Sequence, residues 1–137
     1  MLETPVVMGV NAPHAHQRII RQLSQGLGLL YDAGSILLEP LPEAMIDEGS
    51  TSATPDIILF DNVTRKSIVV IEVAAAGVKR DIRKILQLMD EYEEVIEGFV
   101  YDYRERRWKK CINSIGEVFD RPSFCESIGY DLNEFVK

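Results

Sequence analysis

Two carboxylates, Asp56 and Glu72, have the residue types and the spacing best suited to joint chemistry. Each stands in an otherwise apolar run, and segment 61–66 between the runs predicts a hairpin loop. Counting outward from that loop places Asp56 opposite Ile71 or Glu72, where cross-strand Cβ atoms are about 5 Å apart. Two carboxylates that close repel each other unless one is protonated or a cation lies between them. A hard cation with oxygen ligands, Mg²⁺ or Mn²⁺, is the natural partner.

Both carboxylates also have a purely structural explanation. Asp56 could cap the start of a strand, and Glu72 could lie at the end of the sheet and pair with Lys79 or Arg80. The pair therefore predicts a metal site without proving one.

The strands that carry the pair are predicted from two near-continuous apolar runs, 56–60 and 67–73, typical of strands buried on both faces of a sheet. Apolar residues at helical spacing predict helices over about 14–30 and 78–94. The other expected elements are strands over 36–39, 98–103 and 108–112, a polar loop over 48–54, and a short helix over 131–136 capped by Asp131 with Glu134 at the capping-box position.

Two prolines limit where the first of these strands can lie in a sheet. Pro40 and Pro42 argue for an edge position or a bend, and a continuation of the strand over 44–47 stays open. The order helix, three strands, helix, two strands predicts an α/β fold in which helices cover the faces of one mixed sheet.

Length and composition predict one globular domain spanning residues 1–137, because the chain has 46% hydrophobic and 27% charged residues. No apolar stretch approaches the length of a membrane span, and the first ten residues lack the features of a signal peptide, so we expect a cytoplasmic protein. Cys111 and Cys125 lie in no metal-like spacing and are expected to be free thiols. The net charge of −7 argues against a protein that coats nucleic acid nonspecifically.

Several segments, taken in order, resemble a known family. Pro55-Asp56, a strand, a short loop and Ile71-Glu72-Val73 are similar to the PD-(D/E)XK nuclease superfamily. More narrowly, Ala12 to Ile20 resembles the Pro-x-x-His-Gln opening of the first helix in the Uma-type restriction-endonuclease-like proteins. Further matches are Asp81 to Lys84 and Tyr92 in the following helix, Glu97 to Asp102 in the next strand, and Ser123 to Val136 at the C-terminus. The resemblance covers nearly all of the chain from about residue 6 onward, and its specificity lies in order and spacing.

The resemblance implies a restriction-endonuclease-like mixed central sheet flanked by helices, with a metal-dependent site that hydrolyses DNA phosphodiester bonds. Asp56 and Glu72 would hold Mg²⁺ or Mn²⁺ as the cofactor. The ion would polarise the scissile phosphate and lower the pKa of the attacking water. A lysine would orient or deprotonate that water and stabilise charge on the phosphate.

The chain departs from the family pattern at the expected lysine, where Ala74 stands two residues after Glu72. Because members of this superfamily can supply the lysine from the following helix, Lys84 is the first candidate and Lys79 the second. A solvated helix face shared with Asp81 explains both lysines equally well.

Two further departures concern the N-terminal part. The family's usual extension before the first helix is nearly absent, and that helix lacks the glutamate that many superfamily members use as an extra metal ligand. Gln17 and Gln22 are the nearest substitutes.

His16 and Glu39 are weaker candidates for the same site. The resemblance places His16 near it, as a phosphate contact or a hydrogen-bond partner of Asp56, although a local hydrogen bond at the start of a helix is the favoured explanation. Glu39 could be a third carboxylate if its strand lay beside Asp56, but Pro40 is equally compatible with a strand end.

A basic segment with interleaved aromatic residues, 101–110, has the composition of a surface that contacts a nucleic-acid backbone. A hairpin with exposed charges that protect an edge strand explains the same segment and is the favoured interpretation.

Two functions follow from the resemblance. The first is a metal-dependent endonuclease acting on DNA, without membrane association and with a homodimer as a plausible assembly, since duplex-cutting enzymes are often symmetric. The second is a catalytically inactive nuclease-fold module that binds or assembles, which Ala74 and the acidic charge favour. A small-molecule enzyme has little support, because the sequence has no glycine-rich phosphate loop, no GxSxG motif and no Cys/His site.

Overall fold

The structure is a computed structural model that describes residues 13–46 and 54–137. The helices in these ranges are α1 (His14–Asp32), α2 (Val78–Glu91) and a C-terminal 3₁₀ helix (Leu132–Phe135). The strands are β1 (Leu38–Pro42), β2 (Ile57–Asp61), β3 (Lys66–Ala74), β4 (Glu97–Asp102), β5 (Arg107–Ile112), β6 (Gly116–Val118), β7 (Phe124–Cys125) and β8 (Tyr130–Asp131). No helix within the described residues is both long enough and apolar enough to cross a bilayer.

A six-stranded mixed sheet in the order β1-β2-β3-β4-β5-β6 organises the molecule. The β3–β4 pairing is parallel and every other pairing in this sheet is antiparallel. Helix α2 makes the crossover that a parallel connection requires. Strands β7 and β8 form a separate two-stranded ribbon. This arrangement confirms the predicted α/β class with one mixed central sheet.

The central strands are buried on both faces, as their near-continuous apolar runs predicted. Helix α1 covers one face, where Leu23 and Leu27 pack with alternate residues of β2 to β5. Helix α2 covers the other face through Ile85 and Met89. Gly98 of β4 allows α2 to approach closely, because a Cβ atom at this position would collide with the side chain of Ile85. The two helices thus leave the ends of the strands as the accessible part of the central sheet.

Element boundaries differ from the predictions in a few places. Strand β1 runs through both prolines and lies at the sheet edge, as Pro40 and Pro42 predicted. Residues 44–46 form no strand, and Asp47 and most of the predicted 48–54 loop lie outside the described residues. Helix α2 ends at Glu91 rather than near residue 94, because Tyr92 adopts an extended backbone.

The C-terminal segment and the two cysteines largely follow the predictions. Asp131 caps the last helix by accepting a hydrogen bond from the Asn133 backbone N–H, although the helix is 3₁₀ rather than α. Cys111 and Cys125 are free thiols, and both are buried.

Candidate active site

A β-bulge brings the two predicted carboxylates side by side. Phe60 pairs with Ser67, as the hairpin predicted, but Ile68 is then skipped and the register shifts by one residue. Continuing this register one step beyond β2 places Asp56 opposite Glu72, the second of the two positions that the sequence allowed. Because β-bulges re-aim side chains, this one extra residue decides which side chain faces Asp56.

Asp56 is held in its ionised form by the residues around it. Its Oδ2 atom accepts a hydrogen bond of 2.7 Å from the Val73 backbone N–H and lies 3.2 Å from Nε2 of His16 on α1. Burial raises the pKa of Asp56, but the hydrogen bonds from His16 and Val73, with the nearby charges of His16 and Lys84, bring it below its ordinary value. The hydrogen bond to Asp56 in turn raises the pKa of His16, against an opposing effect of burial.

The surroundings of Glu72 shift its pKa in the opposite direction, toward the protonated form. Its side chain is 5% exposed, and its Oε2 atom lies 3.0 Å from Nζ of Lys84 in an ion pair. Apart from this ion pair, the buried oxygen has no polar partner within the described residues. Burial first, and then the negative charge of Asp56, raise the pKa of Glu72 to about 7, although Lys84 partly opposes the shift.

Helix α2 supplies the lysine of the site. Gly77, in the left-handed conformation with φ 71°, starts this helix directly after β3. Lys84 reaches Glu72 with its ammonium group, whereas Lys79 is exposed and pairs with no carboxylate in the described part of the chain. Of the two lysines proposed to replace the one missing at Ala74, the structure brings only Lys84 to the carboxylates.

Asp81 is a neighbour that the sequence analysis placed only on a helix face. Burial raises the pKa of Asp81, and the charge of Asp56 adds to the shift, which puts a third acidic group in the surroundings of the pair. Its spacing of three residues from Lys84 was the available signal, since residues i and i+3 share a helix face.

Two of the accessory candidates lie elsewhere. Glu39 pairs with Phe60, four residues along β2 from Asp56 and hence about 13 Å away, and it accepts a hydrogen bond from Asn62 instead. The reason is the antiparallel register of β1 with β2, which sends Glu39 toward the opposite end of the strand. Gln17 is exposed on α1 and makes no side-chain hydrogen bond to another described residue. His16, in contrast, makes the contact with Asp56 rather than a local one.

The predicted basic segment 101–110 divides into two parts. Lys110 is buried, with a side chain 3% exposed, and its ammonium group lies 3.1 Å from Glu97 and donates a hydrogen bond to the Phe124 carbonyl. The expectation of an exposed charge is therefore wrong for this residue, because a buried carboxylate compensates it. The remaining basic residues of the segment occupy the β4–β5 hairpin and its flank.

The donor set at the carboxylate pair suits a hard divalent ion. No group of three or more His, Cys, Asp or Glu side chains within the described ranges is arranged to hold a metal. Mg²⁺, however, is usually bound through one or two carboxylates, while water and substrate phosphates complete its coordination. Asp56 together with Glu72, whose Oε2 atom has only the ion pair with Lys84, fits that requirement.

Comparison with known proteins adds information about the fold. No family model matches the chain, and no curated protein matches it. The structure is similar to the crystal structure of a protein from Anabaena variabilis that is described as a putative nuclease belonging to DUF820. The two share 13% sequence identity at a TM-score of 0.64, over 90% of this chain and 80% of that one. At this identity the similarity concerns the fold, and it confirms the predicted restriction-endonuclease-like sheet.

Proposed function

We propose that this protein is a metal-dependent endonuclease of the PD-(D/E)XK superfamily, and more narrowly of the Uma type, that hydrolyses DNA phosphodiester bonds. One observation carries the proposal: the buried carboxylate of Glu72 lies opposite Asp56, and its Oε2 atom has the Lys84 ammonium group, 3.0 Å away, as its single polar partner among the described residues. The fold similarity to a protein described as a putative nuclease supports the same conclusion.

The two carboxylates would hold Mg²⁺ or Mn²⁺. When bound, the ion would polarise the scissile phosphate and lower the pKa of the attacking water. Asp56 is already ionised, because His16 and the Val73 amide stabilise its charge. Burial and the charge of Asp56 raise the pKa of Glu72 to about 7, and a further positive charge beside it would favour its ionised form. The pair thus combines an ionised Asp56 with a Glu72 whose ionised form a bound cation would favour.

Lys84 would perform the role of the missing motif lysine. Its side chain is 39% exposed, so the ammonium group can be reached from solvent while it contacts Glu72. In that position it would orient the attacking water and stabilise the negative charge that builds up on the phosphate. His16 would act as a positioning residue, because it fixes the carboxylate of Asp56.

A second candidate function is a catalytically inactive nuclease-fold module that binds or assembles. The observation that favours it is the same Lys84–Glu72 ion pair, because the ammonium group compensates the buried carboxylate without any metal. Ala74 at the usual lysine position points in the same direction. The cytoplasmic location and the homodimer expected from the sequence stay predictions under either function.

Nicking of supercoiled plasmid in the presence of Mn²⁺ tests the proposal. We expect the intact protein and Lys79→Ala to nick equally, because Lys79 contacts neither carboxylate. Lys84→Ala should lose at least about 100-fold in rate, the usual contribution of a group that assists proton transfer or stabilises developing charge. Equal rates for the two lysine variants would refute the role of Lys84. No nicking by the intact protein would refute hydrolysis and favour the binding module.

A further inference from the structure

The hairpin between β4 and β5 lies at the same end of the central strands as the carboxylate pair. Strands β3 and β4 are parallel, so their carboxyl ends lie side by side at one end of the sheet. There β4 continues into residues 103–106. The backbone N–H of Tyr103 donates a hydrogen bond of 3.0 Å to the carbonyl of Ala74, two residues beyond Glu72. This bond ties the start of the hairpin to the end of the strand that carries Glu72.

Strand register places basic residues of β5 in line with the same carboxylate. Glu72 pairs with Val100, and Val100 pairs with Lys109, so these three side chains lie on one face of the sheet. Two strand spacings, about 10 Å, separate Glu72 from Lys109 along this row. Arg107 lies two residues closer to the end of the sheet. Ala74 pairs with Asp102, and Asp102 pairs with Arg107.

Charge is concentrated in this hairpin in a chain whose net charge is −7. Residues 103–109 contain four basic side chains and one acidic side chain. Arg104, Arg106 and Arg107 are exposed, and no carboxylate of the described residues lies within ion-pair distance of them. Lys109 makes only a long contact of 3.9 Å with Glu117. A cluster of exposed cations that protein carboxylates do not neutralise is the electrostatic footprint of a phosphate-binding surface.

We infer that Arg104, Arg106, Arg107 and Lys109, the basic hairpin, bind the phosphate backbone of a nucleic acid beside the carboxylate pair. The inference rests on the proposed function and deepens it, because it assigns the hold on the substrate to residues separate from those at the reacting phosphate. Contacts to phosphates carry no sequence information, so this surface positions the strand and makes the affinity dependent on salt. The rest of the protein surface is acidic, so it would repel nucleic acid and confine binding to the end of the sheet where the basic hairpin lies.

A pair of matched double variants tests the inference. Arg104→Gln/Arg106→Gln removes two charges from the basic hairpin. Arg65→Gln/Lys66→Gln removes two charges from the β2–β3 hairpin, which lies at the opposite end of the strands. Each pair includes one turn residue with positive φ, 55° at Arg106 and 62° at Arg65, so the backbone change is matched as well. Affinity for a fluorescently labelled DNA duplex of about two helical turns is measured by anisotropy in EDTA, between about 50 and 200 mM salt.

We expect the basic-hairpin variant to bind at least about ten-fold more weakly at the lowest salt, and to reduce the salt slope of log K by about 2, since each phosphate contact contributes about one unit. The β2–β3 variant should stay within about two-fold of the intact protein. Equal weakening by both variants would overturn the inference, and so would an intact protein that does not bind the duplex at the lowest salt.

The two proposals fail separately in these experiments. EDTA prevents metal-dependent turnover, so the hairpin's contribution to binding is measured whether or not the protein cuts. Hairpin-dependent binding without plasmid nicking would sustain the inference and refute hydrolysis. Nicking that the basic-hairpin variant leaves unchanged, together with unchanged binding, would sustain hydrolysis and overturn the inference.

Discussion

Two buried glutamates on neighbouring parallel strands have opposite surroundings. Glu97 of β4 accepts hydrogen bonds from the Ser127 N–H and hydroxyl and from the Glu126 N–H, and it pairs with the buried Lys110. Burial raises the pKa of Glu97, but these hydrogen bonds bring it below the ordinary value. Glu72 of β3 has only its ion pair with Lys84, and its pKa is raised to about 7.

The difference separates a carboxylate that holds the fold together from one that is available for chemistry. Glu97 ties the C-terminal segment to the sheet, since its partners at residues 126–127 lie about 30 positions further along the chain. Glu72 leaves a buried carboxylate oxygen with a single ion pair and no other polar partner in the described structure, which costs stability. Functional sites are where such costs are expected, because a ligand or ion can satisfy the group.

The sharpest way to test the comparison is to remove the charge of Glu97. Glu97→Gln leaves the buried Lys110 with only a long ion-pair contact of 3.9 Å, to Glu126, and losing one partner of a buried ion pair costs about 3 to 5 kcal/mol. We expect a loss of about 3 kcal/mol in the free energy of unfolding, because glutamine keeps some of the hydrogen bonds. Urea unfolding followed by circular dichroism measures the change.

A second substitution serves as the control for this loss. Adding Lys110→Met to Glu97→Gln removes the buried ammonium group and should recover part of the stability. A loss below about 1 kcal/mol in the single variant would remove Glu97 from its structural role.

The corresponding change at Glu72 should act in the opposite direction. A folded-state pKa of about 7 against the ordinary value of 4.5 means that the folded protein binds the proton more tightly than the unfolded chain. Stability therefore falls as the pH rises through this range, and the cost is full above about pH 7 and absent below about 4.5. Glu72→Gln removes the cost, so we expect it to raise the free energy of unfolding by about 1 to 2 kcal/mol near pH 8.

Urea unfolding of the intact protein and Glu72→Gln at two pH values checks this expectation. The gain should shrink as the pH is lowered from about 8 to about 5, because Glu72 becomes protonated in the folded protein. A variant that is destabilised near pH 8 as strongly as Glu97→Gln would show that both glutamates are structural.

The elements that position the pair were largely predictable from the sequence. The apolar runs around Asp56 and Glu72 gave both strands and the hairpin that joins them, and the two helices followed from their apolar spacing. The bulge at Ile68 was not predictable, because nothing in an apolar strand marks one residue as unpaired. The short strands β6 to β8 were missed for a similar reason, since two or three residues are too few to show an alternating pattern.

The two charged clusters differed in how far the sequence revealed them. Asp56 and Glu72 are joined by a short hairpin, so their proximity followed from counting residues. Glu97, Lys110 and Ser127 come from distant parts of the chain, and only the tertiary fold brings them together. Lys110 consequently resembled its exposed basic neighbours in the sequence, although the fold buries it.

A calorimetric titration with Mn²⁺ near pH 8 tests the central claim, that Asp56 and Glu72 form a site for a divalent ion. The titration compares the intact protein with Asp56→Asn, Glu72→Gln and Lys84→Ala, the last of which removes the lysine but neither proposed ligand. We predict binding to the intact protein and to Lys84→Ala at millimolar metal or below, and no binding to either carboxylate variant. Absence of binding to the intact protein, or binding that persists in both carboxylate variants, would contradict the claim.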